Sequence, residues 1–139
     1  MAKEKAILVD IDNTLARKQQ GPGSRGIYEW NRVTEDDVIE PVADIVRSLY
    51  ETHKILIITG RDNTCMEATQ YWLDEIAKVH YHGIYMKPSG SFEKTVITKA
   101  RHYIDNIKDK YEVTLVIDDD LDVLKWFKTI DGISVLQPI

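Results

Sequence analysis

Carboxylates, hydroxyls and basic groups recur in this chain at the ends of short apolar runs. Asp10, Asp12 and Thr14 follow the run 6–9, Thr59, Gly60 and Arg61 follow 55–58, and Asp118, Asp119 and Asp120 follow 114–117. Two carboxylates about 4 Å apart repel by about 4 kcal/mol at an effective dielectric of 20, so acids that meet at one point need a compensating cation. Oxygen ligands select a hard divalent ion, and carboxylates with water and a substrate phosphate are the ordinary surroundings of Mg²⁺. If Asp10, Asp12, Asp118 and Asp119 converge, Mg²⁺ is the expected cofactor. Zinc is not expected, because Cys65 stands alone and the four histidines, including His80 and His82, lack the spacing of a closed site. Taken singly, each acid reads equally well as a helix cap or a solvated turn residue.

For these groups to meet, the strands that carry them must be neighbours. Five runs read as strands, at 5–10, 54–60, 83–86, 114–117 and 132–136. Between them, helical spacing appears in Val42, Ile45, Val46 and Leu49, in Trp72, Leu73, Ile76 and Ala77, from Val96 to Ile107, and in Leu121, Leu124 and Phe127. This alternation predicts an α/β fold, a doubly wound, Rossmann-like parallel sheet of five strands with helices on both faces. In the order 3-2-1-4-5 the ends of the first and fourth strands are adjacent, and ligands of such sheets bind beyond the carboxyl ends where strand order reverses.

The remaining composition narrows the function. A length of 139 residues fits a single domain, 1–139. The net charge of -5, from 18 basic and 23 acidic residues, argues against broad adhesion to polyanions while leaving room for a local basic site. No apolar run approaches the roughly 20 residues of a membrane span. The lone cysteine and the lack of an apolar leader after Met1 predict a cytoplasmic protein. No Gly-x-x-x-x-Gly-Lys-Ser/Thr loop occurs, so kinase activity is not expected.

In chain order, Asp10-Ile11-Asp12-Asn13-Thr14, Ile58-Thr59-Gly60-Arg61, Lys99 and Ile117-Asp118-Asp119 resemble the four motifs of haloacid dehalogenase (HAD) superfamily phosphohydrolases, over nearly the whole chain. Arg25-Gly26-x-Tyr28, Asp36-Asp37-Val38-Ile39-x-Pro41, Gly60-Arg61-Asp62 and Tyr71-Trp72 are similar to the 3'-phosphatase domain of phage polynucleotide kinase/phosphatase. The resemblance implies a Mg²⁺-dependent phosphomonoesterase without a large cap domain, acting on 3'-phosphates of nucleic-acid ends or nucleotides, with a separate kinase or ligase as a partner. It makes Asp10 the nucleophile that becomes an aspartyl phosphate and Asp12 the general acid/base. Thr59 and Lys99 would hold phosphoryl oxygens. Asp10, the Asp12 backbone carbonyl, Asp118 and Asp119 would hold the metal. Arg25, Arg61, Thr14 and Tyr28 would meet the substrate. Three departures stand out: Asn13 replaces a small residue, Thr95 replaces an acid four residues before the lysine, whose orienting role is either absent here or supplied by Glu93, and Gly21-Pro22-Gly23 lengthens the first loop.

That loop, 16–35, shows no period and is long for a connection in a small domain, so a substrate flap is expected. It mixes Arg17, Lys18, Arg25 and Arg32 with Tyr28 and Trp30, a combination suited to gripping a phosphate backbone and stacking on a base. The plainer alternative is a surface hairpin with Trp30 packed on the core. Two other functions stay open. One is a phosphatase of free nucleotides or another small phosphate ester. The other is a non-enzymatic phospho-receiver module, which also joins acids, Thr, Lys and Mg²⁺ but carries its acid pair and its acceptor Asp after different strands.

Overall fold

Strands apolar on both faces demand cover on both sides, and two such strands organise this fold. In the computed structural model, which describes residues 2–138, the chain runs through β1 (Glu4–Val9), β2 (Ala16–Arg17), β3 (Asp37–Val38), α1 (Glu40–Leu49) and β4 (Lys54–Asp62). It continues through α2 (Met66–Tyr71), β5 (Gly83–Lys87), α3 (Thr95–His102), β6 (Tyr111–Ile117), α4 (Leu121–Lys128) and β7 (Ser134–Leu136). Helices α2 and α3 run on as π-helical turns, Trp72–Ala77 and Tyr103–Ile107. Ile7 and Val9 of β1 and Ile55 and Ile57 of β4 join one core, completed by Val42 and Val46 of α1 and by Trp72 and Leu73. Ala6, Leu8, Leu56 and Ile58 point the other way, into a core shared with Tyr103, Ile107, Val123, Leu124 and Phe127.

The main sheet has the order β5-β4-β1-β6-β7 with every neighbouring pair parallel, which is the order 3-2-1-4-5 expected for the five strands. Strand order reverses at β1. Val9 is in register with Ile57 on one side and Ile117 on the other, so the next residues, Asp10, Ile58 and Asp118, sit side by side at the carboxyl rim. The Asp10 N–H donates to the Ile117 carbonyl at 3.0 Å.

Two local features differ from the sequence reading. Strand β4 does not stop at Gly60 but bulges: Ile58 pairs with Tyr85 and Asp62 with Lys87, so Thr59, Gly60 and Arg61 lie opposite Met86 alone. A bulge re-aims side chains beside a site, and this one turns Arg61 fully inside. The segment 16–35 is also less irregular than expected. Its base is tied by the antiparallel pair β2–β3, and Trp30–Glu35 forms a 3-10 helix. No cap domain interrupts the described residues, and none of their helices is long and apolar enough to cross a membrane. Asn13 sits at φ 62, the left-handed turn its amide side chain tolerates.

Gly60 lies under the start of α3. A Cβ on it would stand 2.8 Å from Thr95 Oγ1 and 2.9 Å from Thr95 Cγ2, closer than atoms pack. The stiff, β-branched Thr95 cannot turn both branches away. Gly60→Ala is therefore expected to lower stability by about 1–3 kcal/mol in urea unfolding. Thr95→Ala in the same chain should restore most of the loss; an additive double variant would disprove the contact.

Candidate active site

Strand pairing alone sets the nucleus of the site. Asp10, at the end of β1, is buried, and each of its oxygens has a partner: Lys99 Nζ donates to Oδ1 at 2.9 Å and Thr14 Oγ1 to Oδ2 at 3.0 Å. Lys99 reaches Asp10 from α3, one turn after Thr95, and donates equally to Asp118 Oδ2 at 2.6 Å. The run after β6 divides its labour. Asp118 is sealed against Lys99 and accepts from the Asp120 N–H, Asp119 turns into the cleft, and Asp120 caps α4 by accepting from the Asp122 N–H. The helix-cap reading thus holds for Asp120.

Asp10, Asp118 and Asp119 each present an oxygen within 4.8 Å of the others. At that spacing each pair of charges costs roughly 3 kcal/mol at a dielectric of 20, and the single Lys99 does not cancel three acids. Burial works against the charge on Lys99, but the pull of Asp10 and then Asp118 outweighs it and holds the ammonium above its ordinary value. Burial and the Asp10 charge push Asp118 up to about 6 against the opposing pull of Lys99. Burial, contact with Asp10 and the charges of Asp10 and Asp118 push Asp119 up to about 7. An all-oxygen donor set short of positive charge fits a hard divalent cation.

Asp12, two residues on, lives in different surroundings. Arg61 forks onto it, Nε to Oδ2 at 3.0 Å and Nη2 to Oδ1 at 2.9 Å. The same guanidinium reaches Asp36 Oδ2 at 3.2 Å and Thr69 Oγ1 at 3.1 Å. Arg25 forks onto Asp36 at 2.7 and 2.8 Å, and its Nη2 lies 3.7 Å from Asp12. The Asp36 carbonyl in turn accepts from Trp72 Nε1. Two cations and two acids thus form one network beneath the cleft, with Asp36 buried at its centre.

Several expected site residues take other positions. Arg61, expected at the substrate, is fully buried with its donors turned to Asp12, Asp36 and Thr69, because the β4 bulge aims it inward. Thr14 is also sealed and orients Asp10. Arg25 is held at Asp36 with Trp30 stacked 5.7 Å away. Thr59 is buried below the cleft, its hydroxyl accepting from the Arg61 N–H, while Gly60 lines the cleft. Glu93 does not serve Lys99 but pairs with Arg101 and Thr98. Tyr28 is 80% exposed and lines the cleft, and Trp30 lines it too rather than packing in the core. The sequence assigned no role to Asp36, Thr69 or Lys87. Lys87, at the end of β5, faces the cleft, and its place at a strand end was the available signal.

The cleft over these groups measures about 420 Å³. Across the fold, the family profile of the polynucleotide kinase PNKP phosphatase domain matches residues 4–138. The chain belongs to that family. It is thus a phosphoric monoester hydrolase of the HAD type. It is 30% identical over 118 residues to a protein of Autographa californica nuclear polyhedrosis virus named a bifunctional polynucleotide kinase/RNA ligase, covering 83% of this chain and 16% of that protein. A chain in the Pnkp1/Rnl/Hen1 RNA repair complex superposes with a TM-score of 0.88 at 24% identity, over 98% of this chain and 42% of that one. A HAD-like phosphatase of Mesorhizobium loti shares the fold at a TM-score of 0.67 and 11% identity, over 96% of this chain and 71% of that one. The chain therefore spans less than half of the first two proteins.

Removing the acid at the centre of the network strands two buried guanidinium groups. Asp36→Ala should cost about 3–5 kcal/mol in urea unfolding. Asp36→Asn, which keeps one acceptor oxygen, should fall between the two; an Asp36→Ala loss under about 1 kcal/mol would mean the network is dispensable.

Proposed function

We propose that this domain, 1–139 with a flap at 16–35, is a Mg²⁺-dependent polynucleotide 3'-phosphatase that works through an aspartyl phosphate. The observation that carries the reading is the unequal setting of Asp10 and Asp12 at the rim of one cleft. Asp10 is fixed by Lys99 and Thr14 and stands in a cation-deficient acid cluster, the posture of a nucleophile. Asp12 is half-exposed and can exchange a proton with a group in the cleft.

Bond changes then follow in two steps. An Asp10 oxygen attacks phosphorus, the bond from phosphorus to the 3'-oxygen breaks, and Asp12 gives that oxygen its proton. Asp12 next takes a proton from water, the water oxygen attacks phosphorus, and Asp10 leaves as a carboxylate. The fork from Arg61 occupies both Asp12 oxygens, so proton donation requires one of them to turn from Arg61 toward the leaving group. Lys99 and Lys87, which line the cleft, supply positive charge to the phosphoryl oxygens. Asp10, Asp118, Asp119 and the Asp12 carbonyl would hold Mg²⁺, which neutralises the charge of the phosphoryl group when bound.

Nucleic acid as substrate is supported by the family and by the names of the relatives, which join kinase, ligase and RNA repair. Those names also support a separate kinase or ligase as partner, and the buried free thiol of Cys65 agrees with a cytoplasmic setting.

Asp10→Asn should lower turnover of a 3'-phosphorylated oligonucleotide roughly a thousandfold or more while circular dichroism stays unchanged. Asp12→Asn should lose roughly 10²–10⁴-fold. Normal turnover by purified Asp10→Asn would sink the assignment, and equal rates on 3'-mononucleotides would favour the small-ester alternative. Mg²⁺ at a hundred times its Kd should add about 2.7 kcal/mol of stability. Thermal unfolding of Asp119→Asn should show a much smaller gain; an identical gain would remove Asp119 from the metal site.

A further inference from the structure

A second hollow, about 310 Å³, lies under the flap beside the acid cleft. Asp12, Asn13, Tyr28 and Trp30 line both, so the two form one concavity with the aromatic pair as its shared wall. Their other walls differ in kind. The acid cleft is built of carboxylates and lysines, whereas the hollow adds Ala16, Ile27 and the amide of Gln20. Ile27 is 61% exposed and Tyr28 80%, large side chains left open to solvent by the described residues. An exposed apolar surface rimmed by polar groups marks a binding groove.

This wall is held in place. Trp30 stands edge-on to Tyr28 at 6.4 Å, and its ring lies 5.7 Å from the guanidinium of Arg25, which is buried against Asp36. The Gly26 N–H donates to Glu29 Oε1 and closes the turn between them. At the outer rim Arg17 and Lys18 carry charges with no carboxylate partner among the described residues.

We propose that the hollow is a nucleobase site. The base of the 3'-terminal nucleotide lies against Tyr28 and Trp30 while its phosphate enters the acid cleft, and Arg17 and Lys18 meet the phosphate on its 5' side. The assignment rests on the phosphatase reading above. Stacking on an aromatic face tolerates any base, so the site selects for the presence of a base rather than its identity. A base still paired to a complementary strand does not fit a space at the small end of ligand sites. The preferred substrate is therefore an unpaired 3' end.

Three oligonucleotides test this, each with a terminal 3'-phosphate: a single strand, the same strand with an abasic last residue, and a blunt duplex. The abasic strand should show a KM about tenfold higher, and the duplex should be cleaved more slowly than the single strand. Tyr28→Ala and Trp30→Ala should raise KM for the intact strand about as much, with a far smaller further effect on the abasic one. Tyr28→Phe, which keeps the ring, should retain the ratio of KM values between abasic and intact strands that Tyr28→Ala loses. Equal kcat/KM for intact and abasic strands, or ring losses that simply add to base removal, would overturn the base site while leaving the phosphatase standing. Failure of the natural protein to hydrolyse any of the three would remove both.

Discussion

The Lys99 ammonium, sealed from solvent, donates to Asp10 and Asp118 at once, and the carboxyl rim of the sheet depends on those two contacts. A lysine buried alone would tend to lose its proton, and acids buried alone would tend to gain one. Together they offset part of one another's burial, but one cation against three acids leaves the cluster short of positive charge. The shortage suits the cluster to a hard cation rather than to a closed salt bridge. Its geometry depends on Gly60, because only the missing Cβ lets Thr95, one turn before Lys99, press onto β4.

Asp10 and Asp12 alternate with Ile11, so a strand-like path would give them the same face and comparable surroundings. What separates them is their cation. Asp10 faces a compact ammonium that carries no fixed plane, whereas Asp12 faces a guanidinium whose planar fork holds both oxygens. Asp36 fixes that fork from behind and is itself tied to Arg25 and Trp72. The general acid/base proposed here is thus oriented by residues that do not face the cleft.

The sheet was legible in the sequence because its strands are short, apolar on both faces and end in chemistry-bearing residues. Strand order and the meeting of Asp10 with Asp118 follow from that pattern. Arg61 was not legible in the same way: its direction depends on a bulge in β4 that spacing does not announce, and read as a strand end it points at the substrate instead of inward. Asp36 was hidden for another reason. It sits outside any periodic element, and its importance comes from two arginines at positions 25 and 61 that only the folded chain brings together. Glu93 misled as a stand-in because nearness in sequence to Lys99 does not outweigh the pull of Arg101 and Thr98.

The flap joins these two levels. Its base is core material, since the β2–β3 pair and the Arg25–Asp36 contact belong to the network that orients Asp12. Its tip is surface, with Ile27 and Tyr28 open to solvent. Substitution at the tip leaves the contacts of Asp12 in place, while substitution at the base removes them. A loop anchored this way ties its tip to Asp12 through contiguous side chains: Trp30 lies 5.7 Å from the Arg25 guanidinium, and Arg25 lies 3.7 Å from Asp12.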